Sequence, residues 1–386
     1  MNKMFEEVVT FIRNYYNTPE GFIPLHEPRF TGNDKKYVMD AIDSTFVSSV
    51  GKYVDRFEEM IREYTGAKYA IATVNGTAAL HMSLLLAGVK RNEIVITQPL
   101  SFIATCNAIS YIGAEPLFVD VDMDTLGLSA DKLEHFLKDK TEIKNGLCYH
   151  KQSGKRIAAC VPMHTFGHPV AIDKIVELCS RYKIALVEDA AESIGSFYEN
   201  KHTGTFGLLG AFSFNGNKTI TCGGGGVIVT NDEQLGKLAK HLTTQAKIPH
   251  KWEFVHDHIG YNYRLPNLNA ALACAQIEKL EEFVLNKREL ASQYQKLFSD
   301  KPEFHFYLEP KKSRSNYWLN AVLLKSKIKR DEFLTYTNEH GVMTRPAWAL
   351  MNKLEMFKNC ICEDVSNASF IEDRMVNLPS SVKIYG

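Results

Sequence analysis

From Tyr69 to Ala190 the chain repeats one pattern: a short, almost wholly apolar run, then a stretch with helical spacing. YAIATV precedes TAALHMSLLLAGV, and EIVITQ precedes SFIATCNAISYIG. AEPLFVDVD precedes SADKLEHFLKDK, AACVPMH precedes AIDKIVELCSRY, and ALVEDA follows. Strands that are apolar on both faces and separated by helices predict a largely parallel sheet covered on both sides. Such sheets bind ligands at the carboxyl ends of their strands. Asn75-Gly76-Thr77, Phe102, His164 and Glu188-Asp189 all fall at those ends.

After Ala190 the rhythm changes. AFSF and GVIVT read as strands with no helix between them, which predicts a short antiparallel element edging the sheet. One long helix is expected from about Asn267 to Phe298. FHFYLE and YWLNAVLL then read as strands, RDEFLTYTNEH as a helix and VMTRPAW as an extended piece. The expected organisation is an N-terminal helical extension over 1–25 and a large α/β domain over 26–265. A connecting helix with a smaller α+β domain follows over 266–386. The 386 residues suit one large domain and a smaller one.

Composition narrows the partners. Lys and Arg number 45 and Asp and Glu 45, so no global field favours nucleic acid or an anionic membrane. Apolar runs stay well below the roughly 20 residues that span a bilayer. MNKMFEEVVTFIRNYYN carries acids at helical spacing rather than a signal peptide's pattern. Eight cysteines are scattered without C-x-x-C pairs and read as small buried hydrophobes. A cytoplasmic protein is expected.

GAFSFNGNKTITCG, residues 210–223, looks at first like a phosphate loop. In a phosphate loop, however, lysine directly follows the second glycine. Here Asn217 separates Gly216 from Lys218, and strands rather than a helix flank the run. Lys218 therefore sits on a tight segment between two strands, a place for a single reactive amine.

Each neighbouring feature has a plain reading as well as a functional one. NGTAAL is either a capped turn or a helix start whose amides hold a phosphate. Asp189 is either a helix cap or a buried carboxylate awaiting a cation. Phe102 is either core or a platform, and His164 either structural or a ligand contact. Glycines 223–226 read as backbone packing. Together, a phosphate-binding helix start, an aromatic face, a strand-end aspartate and a turn lysine describe a pyridoxal phosphate site. In such a site the lysine joins the aldehyde, and the aspartate keeps the ring nitrogen protonated.

VEDAAES (187–193), FSFNGNKTITCGGGG (212–226), NGTAALH (75–81) and GYNYRLPNLNAAL (260–272) resemble the DegT/StrS-type sugar-nucleotide aminotransferases. The resemblance covers the chain from about residue 24 onward. It implies a fold-type-I pyridoxal phosphate enzyme: a large α/β/α domain with a mostly parallel seven-stranded sheet, and a smaller α+β C-terminal domain. FIPLHEPRFTGNDKKYV and STFVSSVGKYVDRFE resemble the C4 aminotransferases of legionaminic acid and bacillosamine pathways. Those act on a UDP-linked 4-keto-6-deoxy-N-acetylhexosamine with L-glutamate as donor. The alternatives are another keto sugar (aminated at C3, or linked to GDP or dTDP), a dehydratase, or a non-catalytic sugar-nucleotide-binding protein of the same fold.

Carried over by motif, the resemblance makes Lys218 the Schiff-base lysine and proton carrier, and pairs Asp189 with the pyridine nitrogen. Phe102 would stack on the ring. Gly76, Thr77, the amide of Ala78 and Ser213 would bind the phosphate. Asn262 would reach the phosphate in the partner subunit of a homodimer with shared sites. Glu192 stands where many relatives have glutamine, near the cofactor's 3-oxygen. Histidine in place of Lys218 would signal loss of a hydroxyl instead of amine transfer, and the lysine argues against that. Arg29, His164, Trp318, Arg345 and Trp348 are candidate substrate contacts by residue type.

Overall fold

The computed structural model describes residues 2–384. The apolar runs become β1 (Tyr69–Thr73), β2 (Ile94–Thr97), β3 (Glu115–Phe118), β4 (Ile157–Val161), β5 (Ala185–Asp189), β6 (Leu209–Ser213) and β7 (Gly226–Thr230). They form one seven-stranded sheet in the order β1-β7-β6-β5-β4-β2-β3. The neighbours from β6 to β3 pair in parallel, and β7 alone runs against both of its neighbours. This corrects the expectation of an antiparallel edge: β7 lies inside the sheet, and β1 takes the edge. All five residues of β7 are buried. An apolar strand with both edges paired loses no hydrogen bonds, whereas at an edge it would template aggregation.

Successive side chains of a strand face opposite ways, and the core divides accordingly. Val227 and Val229 pack with Phe212 beneath helices Lys52–Thr65 and Asn267–Ile277. Ile228 and Ala211 pack on the other side, with Leu80 and Met82 of helix Gly76–Leu86. The long helix expected over 267–298 is two helices, Asn267–Ile277 and Leu280–Phe298, separated at Glu278 and Lys279.

A second, antiparallel sheet holds β8 (Phe304–Phe306), β9 (Asn320–Leu324), β10 (Arg345–Pro346) and β11 (Met375–Leu378), in the order β8-β9-β11-β10. The N-terminal helix Asn2–Tyr15 packs here. Its Phe5, Val8 and Ile12 join Leu290, Tyr294, Phe304 and Phe333 in one cluster.

Two glycines fix how tightly the sheet's carboxyl end closes. A Cβ on Gly76 would lie 2.7 Å from that of Ser213, so only glycine lets the helix start press against the end of β6. Gly167 has φ 92°, and a Cβ there would meet Asn316 Oδ1 at 1.8 Å.

Candidate active site

Lys218 leaves the sheet on the segment between β6 and β7. Phe214 N–H bonds Gly225 O at 2.8 Å, Cys222 N–H bonds Phe214 O at 3.1 Å, and Lys218 N–H bonds Asn215 O at 3.0 Å. The indole N–H of buried Trp318 donates to Asn217 O at 2.7 Å. Its ring centre lies 4.0 Å from Lys218 Nζ. On the ammonium's other contact, Glu192 Oε1 stands 3.2 Å away.

Glu192 itself is 2% exposed. Its Oε2 accepts the Phe166 N–H at 2.9 Å. Burial pushes its carboxyl up to about 7, against the lowering influence of Lys218 and the Phe166 amide. Phe166 holds a left-handed backbone, φ 55°, which aims that amide.

Asp189, at the carboxyl end of β5, is buried. It accepts from Thr105 Oγ1 at 2.6 Å and from Ala191 N–H at 3.2 Å. Burial raises its pKa, and these two bonds pull the other way. No cationic side chain within salt-bridge distance pairs with it among the described residues. A buried carboxylate so placed suits a ligand that brings a positive N–H.

Asn75 caps the helix that starts at Gly76, its Oδ1 accepting the Ala78 N–H at 2.8 Å. The Ala78 amide is therefore engaged by Asn75, while those of Gly76 and Thr77 open the helix, where amides lack intrahelical partners. Ser213 Oγ lies beside them, 3.0 Å from where a Gly76 Cβ would be. These groups form a cradle for an anion.

Phe102 precedes helix Ile103–Tyr111 and stands 48% exposed at the crevice. Its ring centroid is 6.3 Å from Trp348, Trp348 is 5.0 Å from Phe166, and Phe166 is 6.5 Å from Trp318. The four rings form a chain of contacts that ends at Trp318, beside Lys218 Nζ.

The remaining candidates lie differently. Val170 N–H donates to His164 Nδ1 at 3.3 Å, so Nε2–H faces Glu188 Oε2 at 3.1 Å. His164 is thus a fully buried partner of Glu188. Arg29 donates Nε to Val382 O at 2.9 Å and pairs with Glu27 at 2.6 Å. Arg345 is exposed on β10, donating to Asn338 Oδ1 and Thr344 O, each at 2.9 Å. Asn262 is exposed and makes an isolated bridge with Thr244.

Sequence reasoning missed Thr105, Phe166 and Asn316, because each is placed by a contact distant in the chain. Asn316 Nδ2 bonds Glu192 O at 2.9 Å and Ile194 O at 2.8 Å, and its Oδ1 accepts Trp318 N–H at 2.8 Å. It also missed His26, whose buried ring nitrogens have no hydrogen-bond partner. Burial first, then Lys287, Lys218 and Arg29, depress the His26 pKa well below the usual value. The signal was its place in FIPLHEPRF.

Residues 28–386 match the DegT/DnrJ/EryC1/StrS aminotransferase family. The chain belongs to that family. It is 36% identical over 364 residues, 93% of each chain, to a GDP-perosamine synthase of Escherichia coli O157:H7. It is 34% identical over 353 residues, 89% of this chain and 88% of the other, to a putative pyridoxal phosphate-dependent aminotransferase, EpsN, of Bacillus subtilis. The aminotransferase TlmJ of Streptoalloteichus hindustanus superposes with a TM-score of 0.84 at 25% identity, over 93% of this chain and 94% of that one. This DegT/DnrJ/EryC1/StrS member is thus a pyridoxal phosphate-dependent sugar aminotransferase of the fold-type-I class. The family implies a sugar-nucleotide substrate and an amino donor. The residues present fit the cofactor: a buried, cation-free Asp189, an anion cradle at Gly76 and Thr77, and an amine at Lys218. No helix among the described residues is long and apolar enough to cross a membrane.

Proposed function

We propose that the chain transfers the amino group of L-glutamate to C4 of a GDP-linked 4-keto sugar. The observation that carries the transfer itself is the placement of Lys218 Nζ between Glu192 and Trp318, at the strand ends that also present Asp189. GDP is favoured by relatives named GDP-perosamine synthase in Escherichia coli O157:H7 at 36% identity and Vibrio cholerae at 32%. A second reading, a UDP-linked 4-keto-6-deoxy-N-acetylhexosamine of the legionaminic acid or bacillosamine type, is favoured by FIPLHEPRFTGNDKKYV and STFVSSVGKYVDRFE.

Bound pyridoxal phosphate supplies an aldehyde for amines to join and a ring that accepts electrons. Lys218 would offer the amine that holds it and would take up or give a proton at Nζ. Asp189 would hold the ring nitrogen in its protonated form. Phe102 would offer an aromatic surface. Gly76, Thr77 and Ser213 would hold the phosphate. For the Ala78 amide to join them it has to share or leave the Asn75 cap.

A homodimer with shared sites is part of the same reading. Trp252, Phe254 and Ile259 are 72%, 79% and 87% exposed, on the segment just ahead of Asn262. A second copy would cover these side chains and bring Asn262 to its phosphate.

The test is incubation with glutamate and a panel of GDP-, UDP- and dTDP-linked 4-keto sugars, followed by product mass. Preferential amination of the GDP-linked sugar supports the first reading, and of the UDP-linked N-acetylated sugar the second. Lys218→Ala should give no borohydride-fixed cofactor adduct and lower turnover by about 10²–10⁴-fold or more. Near-native turnover in that variant would overturn the aminotransferase assignment of Lys218.

A further inference from the structure

Glu192 occupies a position where an amide would make the same visible contacts. A glutamine could accept the Phe166 N–H equally well, without the cost of burying a carboxylate. Yet the acid is there, 2% exposed, one oxygen on Phe166 N–H at 2.9 Å and the other 3.2 Å from Lys218 Nζ. Phe166 adopts φ 55°, uncommon for a bulky residue, and in doing so points its N–H at this carboxyl. Such strain fixes Oε2 and leaves Oε1 to the lysine.

The other charged groups around the pair come from several elements. Asp189, at the end of β5, repels a charge on Glu192 and attracts one on Lys218. His26, on the N-terminal segment, is depressed in part by Lys218. His164, on the same turn as Phe166, is engaged with Glu188. Two acids therefore share one amine, and the burial of both leaves that amine as the near source of a proton.

Resting on Lys218 as the reacting amine, we propose that Glu192 is its proton store. The Nζ–H bond breaks, an Oε1–H bond forms across the 3.2 Å contact, and the electron pair stays on nitrogen. The proton returns by the same path. No other species takes part, and no water need enter the crevice for the neutral amine to form. A carboxyl held up to about 7 is a far better proton acceptor than one at the ordinary 4.5.

The test compares the parent with Glu192→Gln, which keeps the shape and the Phe166 bond but stores no proton, and with Glu192→Asp. Three readouts apply: spectrophotometric titration of the bound cofactor, single-turnover rate of the glutamate half-reaction against pH, and melting of the cofactor-free protein against pH. In the parent the half-reaction should rise about tenfold per pH unit below neutrality and then level, with a matching absorbance step. Glu192→Gln should lose both the step and the rising limb, with a plateau about 10–100-fold lower, and Glu192→Asp should restore part of the limb. In the parent, the fold keeps a proton that the unfolded chain has released, so stability should fall as pH rises from 4.5 towards about 7. Glu192→Gln should flatten that slope. A variant that keeps the parent's limb and step, even at a lower plateau, would overturn the proposal and leave Glu192 a positioning group. None of these readouts uses a sugar nucleotide, so a wrong sugar assignment leaves them unaffected. If the chain bound no pyridoxal phosphate, the proposed function would fall while the melting slope still decided whether Glu192 keeps a proton in the fold.

Discussion

Trp318 holds the Lys218 segment at two points: its indole N–H is bonded to the carbonyl of Asn217, and its ring lies 4.0 Å from the Lys218 ammonium. The backbone one residue before the lysine and the charge at the lysine's tip are therefore fixed by a single side chain from the other sheet's connecting segment. Trp318→Phe keeps an aromatic face and removes the bond to Asn217. We expect it to lower stability by about 1–2 kcal/mol and to slow turnover about tenfold, with cofactor still covalently fixed by borohydride. Denaturant melts and steady-state rates check both. An unchanged rate would show that Lys218 keeps its position without Trp318.

Asp189→Asn should leave the fold standing and cut turnover severely, because a neutral amide cannot hold a positive ring nitrogen. A charge-assisted bond of about 1.5–3 kcal/mol corresponds to roughly 10–150-fold in rate. Thr105→Val removes only the hydroxyl at 2.6 Å and should cost less. The order of the two effects, read from kcat with glutamate saturating, is the point of the measurement. Equal and slight losses would place the ring nitrogen elsewhere.

Acid should loosen the centre of the sheet through Glu188. Burial alone would raise its carboxyl pKa, but the hydrogen bond from His164 and the amides of Gly207 and Gly204 outweigh that and leave it below 4.5. A depressed carboxyl contributes stability that is present above the unfolded value and lost as pH falls through the folded one. The slope of stability against pH should therefore steepen below about 4.5. Glu188→Gln should remove that contribution and, by leaving buried amides and His164 without their charged partner, cost about 3–5 kcal/mol at neutral pH. Thermal melts of both proteins between acid and neutral pH measure it.

Asn262→Ala should lower the affinity for pyridoxal phosphate without altering the melting of the cofactor-free protein, as a residue reaching across a subunit boundary would. Sedimentation should show a dimer at micromolar concentration, and Trp252→Ser together with Ile259→Ser should weaken it. A fully active monomer would remove the shared-site reading.

The positions of Asp189 and Lys218 were legible in the sequence: one ends an apolar strand and the other sits on the segment between two strands. The largely parallel sheet was legible because its strands are short, buried and mostly apolar. The place of β7 was not, since a strand's own residues do not say which neighbour it pairs with. Nor was the break at Glu278 and Lys279, where neither glycine nor proline intervenes. Helix Asn267–Ile277 packs beneath the large sheet, and Leu280–Phe298 begins in the same cluster with Leu280, Phe283 and Val284 before it runs on to Leu290, Tyr294 and Phe298 in the other core. Glu192 was named from the sequence; what it touches needed the fold, because Phe166 and Lys218 come from two other connections.

The aromatic meeting of Phe5 with Phe333, ring centroids 5.1 Å apart, bears on the order in which the molecule can be made. Residues 2–15 are made well before the surface they cover, which includes Phe304, Phe333 and Val376. Until that surface is made Phe5, Val8 and Ile12 have no permanent home, while the large sheet, whose strands end at Thr230, already has its own strands to close upon. The smaller core is thus sealed by segments that are made far apart in time. Deleting helix Asn2–Tyr15 would leave an aromatic wound on the core of the second sheet.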